Sequence, residues 1–277
     1  MRYAFFGTPR FAAMVLEELI AAKLPPILVV ANPDRPAGRK KILTPPPTKT
    51  LAQEYGIPVW QPEKLEVENW KSEARKLDGL ECAVVAAYNK ILKKEILESL
   101  PTKFIGVHPS LLPKYRGASP IQSALLAGEK ESGVTIFILD EGVDHGPTLG
   151  QTRFNLDPET GYLALEETLA RAGGRLLAEL MPLYIEGKTQ PMVQNHIEAT
   201  FTKKFETIDG LVDLQKDAPE IIYRKIKALN PEPGVYALIN GIRTKLLEAK
   251  LAEGKICVTK IQEAGKTPRP ANIVLNG

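Results

Sequence analysis

Cysteine is almost absent from this 277-residue chain. Cys82 and Cys257 lie far apart, each inside an apolar run. A disulfide framework is not expected, and buried free thiols in a reducing compartment are. Histidine is nearly as scarce. His108, His145 and His196 are not clustered with cysteine at metal-ligand spacing, so no metal site is expected. No apolar stretch reaches the roughly 20 residues that span a bilayer. Met1-Arg2-Tyr3 leads straight into an apolar run, without the layout of a secretory leader. A cytoplasmic protein with no membrane partner is expected. The first strand is followed by Gly7-Thr8-Pro9, which lacks the G-x-G-x-x-G of a dinucleotide site. Ser110 lacks the G-x-S-x-G elbow of a serine hydrolase. No internal repeat is evident.

What is present reads as a soluble α/β chain. Charge is small overall at +3 but unevenly spread: residues 1–199 carry about −1 and residues 200–277 about +4. That skew favours a polyanionic partner near the tail, against the blander reading of a solvated basic surface. Short apolar runs at Tyr3–Phe6, Ile27–Ala31, Ala83–Ala87, Phe104–His108 and Val134–Leu139 read as buried strands. Helical periodicity at Phe11–Ala22, Leu92–Leu100 and Ile121–Ala127 falls between them. The alternation predicts a mostly parallel sheet flanked by helices. Leu163–Ile185 reads as a long amphipathic helix that Pro182 kinks or divides. Residues 187–202 are polar and read as a linker. Beyond them, Ala218–Leu229 reads as a helix. The runs Val235–Ile239, Thr244–Leu251 and Lys255–Ile261 are split by Asn240-Gly241 and Glu253-Gly254, a good hairpin signal. A small β-rich tail, a partial barrel, is expected.

Two places carry candidate chemistry. Arg35–Lys49 holds five basic residues and no acidic one. With Pro36, Gly38 and Pro45-Pro46-Pro47 it is expected to be an irregular basic loop leaving the second strand. Phosphate contact is the functional reading, and a solvated surface loop the plainer one. The second place is V-H-P-S-L-L-P-K-Y-R-G at Val107–Gly117 together with D-E-G-V-D-H-G-P at Asp140–Pro147. His108 and Asp144 each follow a probable strand, where open α/β sheets bind ligands. Either residue alone is weak evidence, since many histidines simply pack and many loop aspartates cap turns. Together they suggest acid–base chemistry, because imidazole titrates near neutrality and a carboxylate can fix its tautomer. Asp140 competes with Asp144 for this role, and a turn or cap is its expected use.

These motifs, together with F-F-G-T-P-R-F-A at Phe5–Ala12, D-R-P-A-G-R-K-K at Asp34–Lys41, A-A-Y-N-K-I-L at Ala86–Leu92, A-T-F-T-K-K at Ala199–Lys204 and I-K-A-L-N-P-E-P-G at Ile226–Gly234, resemble the formyltetrahydrofolate-dependent transferases. The basic loop and the tail resemble the methionyl-tRNA formyltransferases among them. The resemblance runs through nearly the whole chain. It implies a Rossmann-like domain over residues 1–187, a linker over 188–202 and a small, shortened OB-like domain over 203–277 that contacts tRNA. It implies a monomer that moves a formyl group from 10-formyltetrahydrofolate to the methionine α-amine of initiator methionyl-tRNA. The matching catalytic positions are His108, Asp144 and Gly106. The folate pocket maps to Ala86, Ala87, Tyr88, Asn89, Lys90, Ser110, Leu111, Leu112, Pro113, Leu139, Asp140 and Gly142. Arg35, Arg39, Lys40 and Lys41 map to the tRNA-binding segment. No metal is implied.

Three departures stand out. Gly106 replaces the usual asparagine, whose amide would be a second oxyanion donor. Loss of one such donor costs roughly 100- to 1000-fold. The tail is short between Leu251 and Lys255, and Glu232 stands where tryptophan is common. Two other functions follow as alternatives: an amino-sugar N-formyltransferase, or a catalytically weakened tRNA-binding homologue.

Overall fold

The computed structural model describes residues 1–38 and 41–275. The chain divides into two compact units. The first comprises Met1–Gly117, Gly133–Phe154 and Glu166–Phe201; the second comprises Ala118–Ser132, Asn155–Leu165 and Thr202–Gly277.

The order of elements begins β1 (Tyr3–Gly7), α1 (Arg10–Ala21), β2 (Leu28–Val30), β3 (Arg35–Ala37), β4 (Ile42–Thr44), α2 (Pro47–Glu54), β5 (Val59–Trp60), α3 (Val67–Arg75) and β6 (Cys82–Ala86). It continues α4 (Lys94–Leu97), β7 (Phe104–His108), β8 (Arg116–Gly117), α5 (Pro120–Ala127), β9 (Glu131–Ile138), β10 (Thr148–Asn155) and α6 (Tyr162–Ile185). It ends β11 (Phe201–Thr202), α7 (Pro219–Leu229), β12 (Tyr236–Ile239), β13 (Ile242–Ala252), β14 (Lys255–Glu263) and β15 (Arg269–Leu275).

The main sheet has seven strands in the order β10-β9-β7-β6-β1-β2-β5. Pairings from β5 through β7 are parallel, and β9 joins β7 antiparallel. The expected mostly parallel sheet is therefore present. Its central strands are buried on both faces, so they are almost uninterrupted apolar runs. One face closes on an aromatic cluster of Phe6, Trp70, Tyr88 and Phe104, with ring centroids 5.2–6.1 Å apart. The helix α6 runs unbroken through Pro182. Arg10 ties α1 to α6 through Glu166 and Glu167, both at 2.7 Å. Burial pushes the Cys82 thiol up to about 12, which makes it an inert core group. Cys257 is half-buried rather than buried, on a strand of the smaller sheet.

The basic segment is more regular than its prolines suggest. β3 and β4 pair as a hairpin, with Arg35 opposite Thr44 and Pro36 opposite Leu43. Pro47 then starts α2 instead of preventing it, because the first helical position needs no N–H donor.

The second unit is built on α7, whose Ile222, Tyr223, Ile226 and Leu229 are buried. α5 packs on α7, which places residues 118–132 in this unit although they precede the expected boundary at 187. Its sheet is an antiparallel meander, β12-β13-β14-β15. Both anticipated hairpins form. Asn240, Gly241, Glu253 and Gly254 all have φ between 50° and 75°, as two-residue primed turns require. The last strand, β15, was not anticipated. Glu232 is exposed.

Candidate active site

His108 is the last residue of β7 and pairs with Thr135 of β9. It is buried, at 6% exposure. Its Nε2 lies 2.9 Å from the Tyr115 carbonyl oxygen. A carbonyl only accepts, so Nε2 carries a proton and donates it. Nδ1 is then the ring atom that can exchange a proton, and it faces Asp144 Oδ2 at 3.5 Å. The sequence pairing of His108 with Asp144 is thus realised in space.

Asp144 is held in place from several sides. Its Oδ2 accepts from the Gly117 N–H at 2.7 Å. Gln194 Nε2 donates to the carbonyls of Asp144 (2.9 Å) and Gly146 (2.7 Å). Asp144 itself has φ 45°, an uncommon conformation for a residue with a side chain. Gln194 Oε1 in turn accepts from the buried Arg116 guanidinium at 2.7 Å. Arg116 also donates to His196 Nδ1 at 2.9 Å and lies 5.9 Å from the Phe201 ring. The stretch expected to be a linker is therefore a strap that locks the Asp144 loop. Sequence reading missed Arg116, Gln194 and His196. The one available signal was an arginine inside an otherwise rigid Pro-rich turn.

Asp140, the competing carboxylate, caps its own turn through the Gly142 N–H at 3.0 Å and accepts from His145 Nδ1 at 2.7 Å. His145 stacks on His196, with centroids 4.0 Å apart and planes 3° apart. Partial desolvation of its ring, helped by His145 and Arg116, lowers the His196 pKa below its ordinary value.

The expected folate residues fall into distinct groups. Ser110 and Leu112 are buried, and Thr135 bridges the Ser110 carbonyl and the Leu112 N–H. The Ser110 hydroxyl donates to the Lys114 carbonyl at 2.6 Å, which suits a fastened turn and not a nucleophile. Tyr88 turns its ring into the core, 2% exposed, and so offers a ligand only backbone atoms. Ala87 and Asn89 on either side have φ 46° and 62°. Lys90 donates to the carbonyls of Pro62 and Glu63, and burial lowers its pKa. A cleft of about 350 Å³ opens between α4 and the 139–145 loop, lined by Leu97, Leu139, Asp140, Gly142 and His145 among others. It includes three of the expected folate positions and neither His108 nor Asp144. Leu111 and Pro113 lie in the same turn after β7.

At the basic hairpin, Lys49 is bound to Asp34 at 2.8 Å, with Gln61 on the same carboxylate at 2.9 Å. Lys49 holds the Asp34 carboxyl below its usual range. Arg35 meets Glu63 at 2.9 Å, both exposed. Lys41 is exposed. Arg39 and Lys40 lie outside the described residues. Among the described residues no cluster of His, Cys, Asp or Glu could hold a metal, and no helix is long and apolar enough to cross a membrane.

An open, mostly parallel sheet with an imidazole and a carboxylate at its carboxyl-terminal edge has the build of an acid–base enzyme. Comparison with known proteins narrows this. Residues 1–181 match the family model for formyl transferase, and residues 204–274 match that for the formyl transferase C-terminal domain. The chain is 39% identical over 277 residues to the methionyl-tRNA formyltransferase of Chloroflexus aggregans, an alignment covering 100% of this chain and 89% of the relative. Similar solved structures include a sugar N-formyltransferase from Shewanella sp. (TM-score 0.68, 18% identity, 91% of this chain and 99% of that one). HypX from Aquifex aeolicus in complex with tetrahydrofolic acid is similar at TM-score 0.67 and 18% identity, covering 98% of this chain and 46% of HypX. The chain belongs to the formyl transferase family.

Proposed function

We propose that the protein transfers the formyl group of 10-formyltetrahydrofolate to the α-amine of methionine on initiator methionyl-tRNA. The observation that carries the chemistry is His108 Nδ1 set 3.5 Å from Asp144 Oδ2 at the end of β7. The substrate choice draws on the named relative that aligns with the whole chain. A basic hairpin at Arg35–Thr44, which a sugar enzyme does not need, agrees with it.

In this reading the neutral amine attacks the formyl carbon and a tetrahedral oxyanion forms. With Nε2–H held by the Tyr115 carbonyl, the Nδ1–H of the charged imidazole is the donor for that oxygen, and Asp144 balances the charge on the ring. Collapse breaks the bond from carbon to the folate N10. The proton lost by the amine is taken up by the Asp144 carboxylate and delivered to that nitrogen. Ala86 to Lys90 and Leu139 to Gly142 line the folate pocket, with the cleft beside α4 as its inner part.

The direct test is a formylation assay with charged initiator tRNA and 10-formyltetrahydrofolate. Formylmethionyl-tRNA is expected. No product with tRNA, together with formylation of a nucleotide-linked amino sugar, would move the protein to the sugar branch. Tight tRNA binding without transfer would make it a weakened homologue.

A further inference from the structure

Gly106 and Phe137 stand opposite each other in the antiparallel pair of β7 and β9. Opposed residues point to one face of a sheet, and so do residues two apart on a strand. Gly106, His108 and Phe137 thus share a face. A Cβ added at Gly106 would lie 2.3 Å from Phe137 Cε1, 2.7 Å from its Cζ and 2.8 Å from Leu139 Cδ1. The Phe137 ring is 4% exposed and stands edge-on to His108, with centroids 6.4 Å apart and planes at 85°. A ring packed in this way has no second position without displacing its neighbours.

We propose that Phe137 is a positioning residue of the formyl-transfer site. Its ring fills the space beside His108 that a side chain at position 106 would need, so it fixes that position as glycine. His108 is then the side-chain donor that β7 offers on this face. The two positions are one unit: an amide donor can enter at 106 only when the ring leaves 137. The catalytic half of this inference rests on the formyl-transfer reading above. The packing half rests on geometry alone.

The test is a double-mutant cycle of Gly106→Asn and Phe137→Ala, with Gly106→Ala as a milder probe that adds only a methyl group. Melting temperature and formyl transfer are both measured. Gly106→Ala and Gly106→Asn alone should lower the melting temperature, by on the order of 5 °C, the cost of overpacking. Phe137→Ala alone leaves a cavity and should lower it too, but the double variant should melt above what the sum of the two single losses predicts. In kcat, the double variant should exceed each single variant by about tenfold or more, the low end of what one oxyanion donor supplies. Its KM for charged tRNA should stay within a few-fold of wild type, because a transition-state donor does not touch ground-state binding. The proposal is overturned if either Gly106 substitution leaves the melting temperature unchanged, or if the single effects simply multiply. If no variant, wild type included, transfers formyl, the reaction assigned above fails. The melting cycle then decides the packing half by itself: a double variant that melts above what the sum of the single losses predicts upholds it, and additivity overturns it.

Discussion

The Asp144 loop and the basic hairpin both leave the same sheet, yet they are built in opposite ways. Asp144 is fixed by hydrogen bonds to its carboxylate and its carbonyl, and through Gln194 to a buried arginine. The hairpin is anchored at its base by Asp34 and Lys49, while Ile42 and Leu43 are more than 60% exposed. The first arrangement suits a group that must stand still while charge develops beside it. The second suits a surface that meets a flexible polyanion. On the proposed reaction, preorganisation is confined to the place where bonds change.

Breaking the rigid side should have the largest effect. His108→Ala is expected to lower kcat by about two to four orders of magnitude, the usual range for an acid–base group. Full activity in steady-state kinetics would remove His108 from the mechanism. Asp144→Asn keeps the shape and an acceptor for the Gly117 N–H but removes the charge. A loss of about one to three orders of magnitude is expected, with an altered pH profile of kcat/KM. An unchanged profile would make Asp144 a purely structural cap. On the soft side, neutralising Arg39, Lys40 and Lys41 should raise the tRNA KM by about tenfold and flatten its salt dependence, with kcat held. An unchanged salt slope would make the hairpin a plain surface.

The smallest effect concerns the strap. The His196 pKa is lowered in the fold, so the unfolded chain binds the proton more readily. Stability contributed here is present above the ordinary histidine pKa of 6.5 and declines as pH falls through it. His145, Arg116 and Asp140 are the groups that act on it. Melting scans from pH 8 to 5 should show a decline that His196→Gln reduces. An equal decline in that variant would place the titration elsewhere.

The sheet was legible because strands buried on both faces are plain apolar runs, as at Cys82–Ala86 and Phe104–His108. The two hairpins of the tail were legible from their Asn-Gly and Glu-Gly turns. α2 was hidden because Pro47 reads as a breaker in a window, whereas a helix start accepts it. β10 was hidden because only its first two residues are buried and the rest alternate. In the candidate site, the closeness of His108 and Asp144 was legible from motif and strand position. Arg116 with Gln194 was not, because the two lie 78 positions apart and meet only through the fold. Nor was the tie between Gly106 and Phe137, which depends on strand register.

Gln194 has a consequence for the way the enzyme comes off the ribosome. The histidine and its carboxylate are synthesised by residue 144, but the amide that holds the Asp144 backbone arrives 50 residues later. At ordinary elongation rates of about 5–20 residues per second, several seconds separate the two. A nascent chain paused before residue 194 would carry both reactive groups without the clamp. The loop that carries Asp144 is therefore fastened only after the first unit is almost fully made.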